Sequence, residues 1–410
     1  MTEGVRKAEW PPKTSGDFPR IAQLPPYVFA QVNEEKREKI ASGADVIDLG
    51  MGNPDIPTPS HIVEELLSHA VEGQHHRYSA SRGIHGLREA IAEHYASRYG
   101  VALDPEQEVV VTIGAKEGIA HLMLALLGAG DTVLVPSPAY PIHTYSVIFV
   151  GGEVIHLPLH GTPEGKVNAD ALLRDVESAV RSAAKRPKML VISFPNNPTT
   201  LVADLPFFER MVALCRELEL LLVHDFAYAD IGFGSNPPSV LQVAGAKEIA
   251  VEFFSMSKSY CMAGWRVGFC VGNAAMVQAL TRVKSYLDYG IFQPIQIAAV
   301  NALRGDQACV SESEEVYRRR RDALVSGLHR AGWPVASPAG TMFLWAPIPP
   351  AFSHLGSIEF ARLLLRETGV VVSPGIGFGA EGDGHVRFAL IEDEHRLAEA
   401  AERMRTLLGA

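Results

Sequence analysis

Between residues 109 and 271 the chain alternates short runs of consecutive Val, Ile and Leu with longer stretches whose apolar residues recur every three or four positions. Consecutive apolar positions leave no polar face, so each short run predicts a strand covered on both sides. The three-to-four spacing predicts helices with one buried stripe. Strands are expected over residues 109–113, 132–135, 153–159, 189–194, 220–224, 250–254 and 265–271. A helix over 117–127 is closed by Gly128, and earlier helical spacing covers 60–72, with Ser60 as its N-cap, and 84–99. This order predicts an α/β fold, a mostly parallel central sheet sandwiched by helices.

The two ends of the chain read differently. Pro11, Pro12, Gly16 and Pro19 stop any long helix early, so residues 1–24 are expected to form an arm. A helix follows over 28–42 and a short strand over 46–50. Beyond residue 301 come a long charged helix (310–331), strands at 342–345 and 385–391, and a C-terminal helix. The expected division is an N-terminal arm (1–24), a smaller α+β domain (25–56 plus 301–410) and a large α/β domain (57–300).

The 410 residues are 47% hydrophobic and 20% charged, which excludes disorder as the main state. No apolar run approaches the roughly 18–20 residues of a membrane span, and the amino terminus lacks an apolar signal core. Cys215, Cys261, Cys270 and Cys309 lack paired spacing, and His75, His76 and His224 lack metal-ligand spacing. A disulfide framework and a metal site are therefore not expected, and a reducing cytoplasm is. A net charge of −10 disfavours nucleic acid as a partner. An enzyme with a deep site fits what remains.

The chemistry-bearing residues fall at the ends of predicted strands: Asn197 in Phe-Pro-Asn-Asn-Pro, Asp225 and Tyr228 in His-Asp-Phe-Ala-Tyr, and Ser255, Ser257 and Lys258 in Ser-Met-Ser-Lys. Arg266 follows in Gly-Trp-Arg-Val-Gly. Carboxyl ends of parallel strands converge on one crevice, and this set suits pyridoxal phosphate. A desolvated lysine can form a Schiff base with its aldehyde. Asp225 would keep the ring nitrogen protonated, Asn197 and Tyr228 would bond the phenolic oxygen, and Ser255, Ser257 and Arg266 would neutralise the phosphate. Upstream, Thr-Ile-Gly-Ala-Lys-Glu-Gly (112–118) joins strand to helix, so the backbone amides of Ala115 and Lys116 would face an anion. His224, adjacent to Asp225, is expected on the opposite strand face.

Asn196-Asn197-Pro198-Thr199, Asp225-Phe-Ala-Tyr228, Ser255-Met-Ser-Lys258 and Gly264-Trp-Arg266-Val-Gly268, in this order, resemble the signature set of the class I/II aminotransferases, the fold-type I pyridoxal-phosphate enzymes. The likeness runs from about Leu24 to the C-terminus. Leu24-Pro-Pro-Tyr-Val-Phe29, Val223–Asp230 and Asp288-Tyr-Gly290 are similar to the bacterial alanine-forming glutamate–pyruvate aminotransferases, with diaminopimelate aminotransferases as a neighbouring branch. The resemblance implies that Tyr140 stacks on the cofactor ring and that Tyr78 reaches the phosphate of a partner subunit in a homodimer. It implies that Gly52, Asn197 and Arg387 hold the substrate α-carboxylate, that Tyr27 lines the side-chain pocket, and that Lys258 shuttles the α-proton.

The favoured reaction moves an amino group between alanine/pyruvate and glutamate/2-oxoglutarate. Diaminopimelate or aspartate-type transamination and carbon–sulfur β-elimination are alternatives on the same fold. A cofactor-sensing transcriptional regulator is disfavoured, because about 24 residues before Leu24 are too few for a winged helix. Dicarboxylate-specific members use a second arginine, and no arginine lies between Val283 and Asn301. Three further features are read as structural. The Arg318–Arg321 run is expected on a solvated helix face. Gly375-Ile-Gly-Phe-Gly379 is expected to be a loop near Arg387, and Cys261 a packing residue.

Overall fold

The computed structural model describes residue 18, residues 21–24 and residues 29–409. Most of the expected arm and Tyr27 lie outside the described residues. Among the described residues, strands form three sheets. The first strand, β1 (Ile47–Asp48), belongs to a small pair. The large sheet contains β2 (Val109–Thr112), β3 (Thr132–Ser137), β4 (Glu153–Pro158), β5 (Met189–Ser193), β6 (Leu221–Asp225), β7 (Ala250–Ser255) and β8 (Gly268–Gly272). The later strands are β9 (Phe343–Pro347), β10 (Val370–Val371), β11 (Ser373–Pro374) and β12 (His385–Ala389).

The large sheet has the order β2-β8-β7-β6-β5-β3-β4. Strands β4, β3, β5, β6 and β7 run parallel, and β8 lies antiparallel between β7 and β2. Alternate residues of one strand enter different cores. Val133, Val191, Val223, Val251 and Phe253 pack on one face with Ile119 and Met123, while Leu134, Leu190, Leu222 and Phe254 pack on the other with Phe208 and Met211. Burial on both faces is what removes the polar alternation from these strands. The parallel register sets Ser193 beside Asp225 and Asp225 beside Phe253, two residues before Ser255. Three strand termini thus end together.

A second core gathers the antiparallel sheet β11-β12-β9, the pair β1-β10, and the helices Ala308–Arg330, Gly356–Thr368 and Glu394–Leu408. Trp333, Phe360 and Phe388 pack edge to face at its centre. Tyr228 and Ile231, just past β6, are also buried there, so the two cores meet beside the end of β6. The helix Gln293–Arg304 crosses residue 301 with Ala302 and Leu303 still in the first core, and ends at its C-cap Gly305.

Several local expectations are corrected. Pro59, not Ser60, occupies the N-cap of the helix Ser60–Ala70. The expected strand at 46–50 pairs over only Ile47 and Asp48. The expected strand at 265–271 starts at Gly268, because Ala263–Trp265 form a 3₁₀ turn and Arg266 adopts a left-handed φ of 59°, which no strand accommodates. The Arg318–Arg321 run is not uniformly solvated. Arg320 is buried, with both Nη atoms on Asp55 at 2.7 Å and one also on the Leu390 carbonyl at 3.0 Å, and the Arg321 guanidinium lies over Phe233.

Gly268 is required by close approach, since a Cβ there would lie 2.7 Å from the Ala115 nitrogen and 2.9 Å from the Phe254 carbonyl oxygen. Backbone atoms cannot swing aside, so Gly268→Ala is expected to cost about 1–3 kcal/mol. Gly264→Ala, with open space around its Cβ, is the comparison. Urea unfolding of the two variants checks this, and equal midpoints would contradict the packing account.

Candidate active site

A cavity of about 660 Å³ opens at the carboxyl ends of β5, β6 and β7. Its floor includes Ser193, Asp225 and Ser255, and its opposite wall brings Gly52, Phe343, Ser373 and Arg387 from the second core. Residues far apart in sequence meet here because the strand termini and the β9-β12 hairpin-like pair face one another across the gap.

Lys258 lies in the short helix Met256–Ser259, which directly continues β7. Ser255 caps it, its Oγ accepting the Ser257 N–H at 3.3 Å. The Lys258 ammonium donates to the Gly52 carbonyl at 3.1 Å. Burial, then repulsion from Arg387 and Arg266, brings its pKa down to about 7. An amine in that range is available as a nucleophile or base at neutral pH.

Asp225 ends β6. Its Oδ2 lies 2.8 Å from His143 Nε2, and both side chains are buried. Tyr228, one turn on, has its hydroxyl 3.4 Å from the Asn197 Nδ2 donor, and burial pushes its phenol pKa well up. Asn197 Oδ1 in turn accepts from Arg387 Nη1 at 2.7 Å.

Arg387 is the most unusual group of the site. Its guanidinium sits between aromatic rings, 4.0 Å from the Phe343 centroid and 4.6 Å from that of Phe378. Its hydrogen-bond acceptors are Asn197 Oδ1, the Gly50 carbonyl at 3.2 Å and Ser373 Oγ at 3.4 Å, and its Nε is buried without a partner. None of these is a carboxylate, and burial lowers its pKa to about 10. Phe378 belongs to the 3₁₀ turn Gly375–Phe378, which places that glycine-rich stretch against Arg387.

The upstream strand-to-helix junction forms the remaining wall. Gly114, at φ 80°, precedes the helix Ala115–Leu126, and a Cβ there would collide with the Arg266 guanidinium. Arg266 therefore packs against the amino end of a helix, where backbone N–H groups also carry positive potential. Ala115, Lys116, Ser255, Ser257 and Arg266 all line the cavity here. The Lys116 ammonium lies 5.8 Å from the Tyr140 ring centroid, and Tyr140, N-cap of the helix Pro141–Phe149, also lines the cavity.

Charge decides what this space suits. Five cationic side chains line it (Lys36, Lys116, Lys258, Arg266 and Arg387) against two carboxylates, Asp48 and Asp225. Asp48 is engaged by Lys36 at 2.8 Å, and Asp225 by His143. The donor set fits an anionic group at the helix terminus and a second anion at Arg387.

Of the residues singled out from sequence, Tyr78 stands outside the cavity. It is 85% exposed, its ring 4.5 Å from that of Tyr289. His224 lies on the other face of its strand, bonded to Glu252 at 2.8 Å. The fold also makes side-chain groupings that spacing hides. His69, Glu72 and His75 come within 4.8 Å by their candidate ligand atoms, as do Glu117, His121 and Asp288, where Lys284 already bridges the two carboxylates. His143, Phe343, Phe378, Ser373 and Lys36 were not found from sequence. Two had a nearby signal: His143, three residues after Tyr140, and Phe378, within the glycine-rich stretch expected near Arg387.

The Lys258 environment gives a direct expectation. Its folded pKa lies below the value of about 10.4 for a free lysine, so the neutral amine predominates above about pH 7. In the unliganded chain, cyanate modification of Lys258, followed by peptide mapping, is expected to rise with a midpoint near pH 7. A Lys258 midpoint at the free-lysine value of about 10.4 would contradict the electrostatic account.

Comparison with known proteins places these observations. The family described as aminotransferase class I and II matches residues 44–404. The chain is 52% identical over 394 residues to the glutamate-pyruvate aminotransferase AlaC of Escherichia coli K12, covering 96% of this chain and 94% of that protein. It is 44% identical over 389 residues to an LL-diaminopimelate aminotransferase of Syntrophobacter fumaroxidans, covering 95% and 98%. Among solved structures, substrate-bound BacF from Bacillus subtilis superposes with a TM-score of 0.86 at 34% identity, covering 95% and 96% of the two chains. Aspartate aminotransferase from Thermotoga maritima does so with a TM-score of 0.87 at 29% identity, covering 96% and 100%. The chain belongs to the class I and II aminotransferases, and is an enzyme of that family.

Proposed function

We propose that this aminotransferase exchanges an amino group between alanine/pyruvate and glutamate/2-oxoglutarate, with pyridoxal 5′-phosphate in the cavity. The observation that carries the reading is the pairing, in one cavity, of a lysine whose pKa is brought down to about 7 with a buried arginine that has no carboxylate partner. The likeness to AlaC supports the substrate pair.

On this reading Ser255, Ser257, Arg266 and the amides of Ala115 and Lys116 hold the phosphate. Asp225, oriented by His143, keeps the ring nitrogen protonated, Asn197 and Tyr228 bond the phenolic oxygen, and Tyr140 stacks on the ring. When bound, the cofactor supplies an electron sink for the charge that develops at the substrate Cα. Arg387, with Asn197 and Gly52, fixes the α-carboxylate and thereby the direction of the Cα–H bond. Lys258 would hold the cofactor through its Nζ at rest and, once free, would take the α-proton and hand it back, a general-base role worth roughly 10²–10⁴ in rate.

Two further features belong to the proposal. A homodimer in which Tyr78 reaches the partner's site is supported by the exposed apolar group around Tyr78, Tyr286, Leu287 and Tyr289. A cytoplasmic location is supported by four unpaired cysteines, and no helix among the described residues is long and apolar enough to cross a membrane.

An amino-donor panel against pyruvate and 2-oxoglutarate tests the substrate pair. Reaction of a diaminopimelate precursor without alanine–2-oxoglutarate exchange would move the chain to the neighbouring branch. Lys258→Ala is expected to lower kcat by at least about 10² and to abolish the borohydride-trapped label on the peptide containing position 258. A label elsewhere, or full activity, would overturn the assignment. Arg387→Ala is expected to raise KM for every amino and oxo acid by about tenfold or more, since charge-assisted bonds are lost. Unchanged KM values would remove Arg387 from the α-carboxylate site.

A further inference from the structure

Lys36 reaches the cavity from the helix Phe29–Ala41. Its ammonium donates to Asp48 Oδ2 at 2.8 Å, Asp48 Oδ1 accepts the Gly50 N–H at 2.9 Å, and the Gly50 carbonyl accepts from Arg387 Nη2 at 3.2 Å. Three links thus tie this ammonium to the guanidinium assigned to the α-carboxylate. The helix beneath it is anchored: Lys39 Nζ donates to the Leu365 carbonyl at 2.8 Å, and Glu35 pairs with Arg362. Val32 packs with Leu365 and Val371.

We propose that Lys36 reads the distal carboxylate of a dicarboxylic amino or oxo acid, a role for which the 283–301 segment offers no arginine. The proposal rests on the alanine/glutamate reading above. The other cations of the cavity are placed differently. Lys258 bonds Gly52, Arg266 bonds the Ala263 carbonyl beside the helix terminus, and Lys116 lies over Tyr140. Of these four cations, Lys36 is the one tied to Arg387 through Asp48 and Gly50, and it has three N–H donors of which Asp48 takes one.

The ion pair also meets a demand peculiar to a site that must accept both a methyl side chain and a carboxylate. A fixed cation with no partner would be stranded when alanine binds, at the cost of an unpaired desolvated charge. With alanine or pyruvate bound, Lys36 stays neutralised by Asp48. With glutamate or 2-oxoglutarate bound, its remaining donors turn to the substrate on a flexible four-carbon stem.

The test uses the cofactor-loaded enzyme and the ratio of KM for 2-oxoglutarate to KM for pyruvate. K36M is expected to raise this ratio about tenfold or more, the loss of a charge-assisted hydrogen bond, and K36R to recover most of it. D48N keeps the Gly50 contact but removes the competing charge, so the ratio is expected to fall. K116M should move the ratio less than K36M. An unchanged ratio in K36M, a rise in D48N as in K36M, or a larger shift in K116M would overturn the proposal alone. A wild-type enzyme inactive with every dicarboxylate overturns the substrate reading and this proposal together.

Discussion

Burying a guanidinium is costly unless its donors are met and its charge is answered. Arg387 meets the first condition only in part, through Asn197, Gly50 and Ser373, and the second through ring faces in place of an anion. Around it stand Lys258, Arg266 and the amino end of a helix. This excess of positive charge is held open by packing: Phe343 and Phe378 fix the guanidinium in place, and Gly114 lets Arg266 lie against the helix terminus. The site suits anionic ligands because its own carboxylates are already committed.

The same arrangement explains why two cores are needed. Strands that end in register can gather Asn197, Asp225 and Lys258, but they cannot place a cation opposite them. Arg387 comes from β12, paired with β9 and β11, and β9 supplies Phe343. Tyr228 is the joint, leaving β6 to bury its ring 5.7 Å from that of Phe343. Movement of one core against the other would therefore change the Arg387–Asn197 and Lys258–Gly52 contacts, both of which cross the gap.

How much of this was legible in sequence follows from what local pattern encodes. Strands buried on both faces write themselves as runs of Val, Ile and Leu, so the positions of Asp225 and Lys258 just past such runs were readable. Arg387 was named from resemblance, but its aromatic sandwich was not, because Phe343 and Phe378 approach it only through tertiary packing. Arg320 shows the opposite error. Four consecutive arginines suggest a wet face, yet the helix turns one of them into the core onto Asp55. Lys36 carried no signal at all, since a lysine in a charged helix is ordinary until the fold brings Asp48 beneath it.

The field that keeps Lys258 near neutrality has two sources besides burial, Arg387 and Arg266, and ligands act on each. On the proposed reading, a phosphate beside Arg266 cancels one repulsion as long as cofactor is held, whereas a carboxylate on Arg387 cancels the other only while substrate is present. Removing a like charge raises an amine's proton affinity. The lysine is thus least basic in the empty site, where neither repulsion is cancelled. It becomes more basic when a substrate carboxylate has docked and a proton has to be taken from the neighbouring carbon. Binding and base strength are coupled through one guanidinium, without any group having to move.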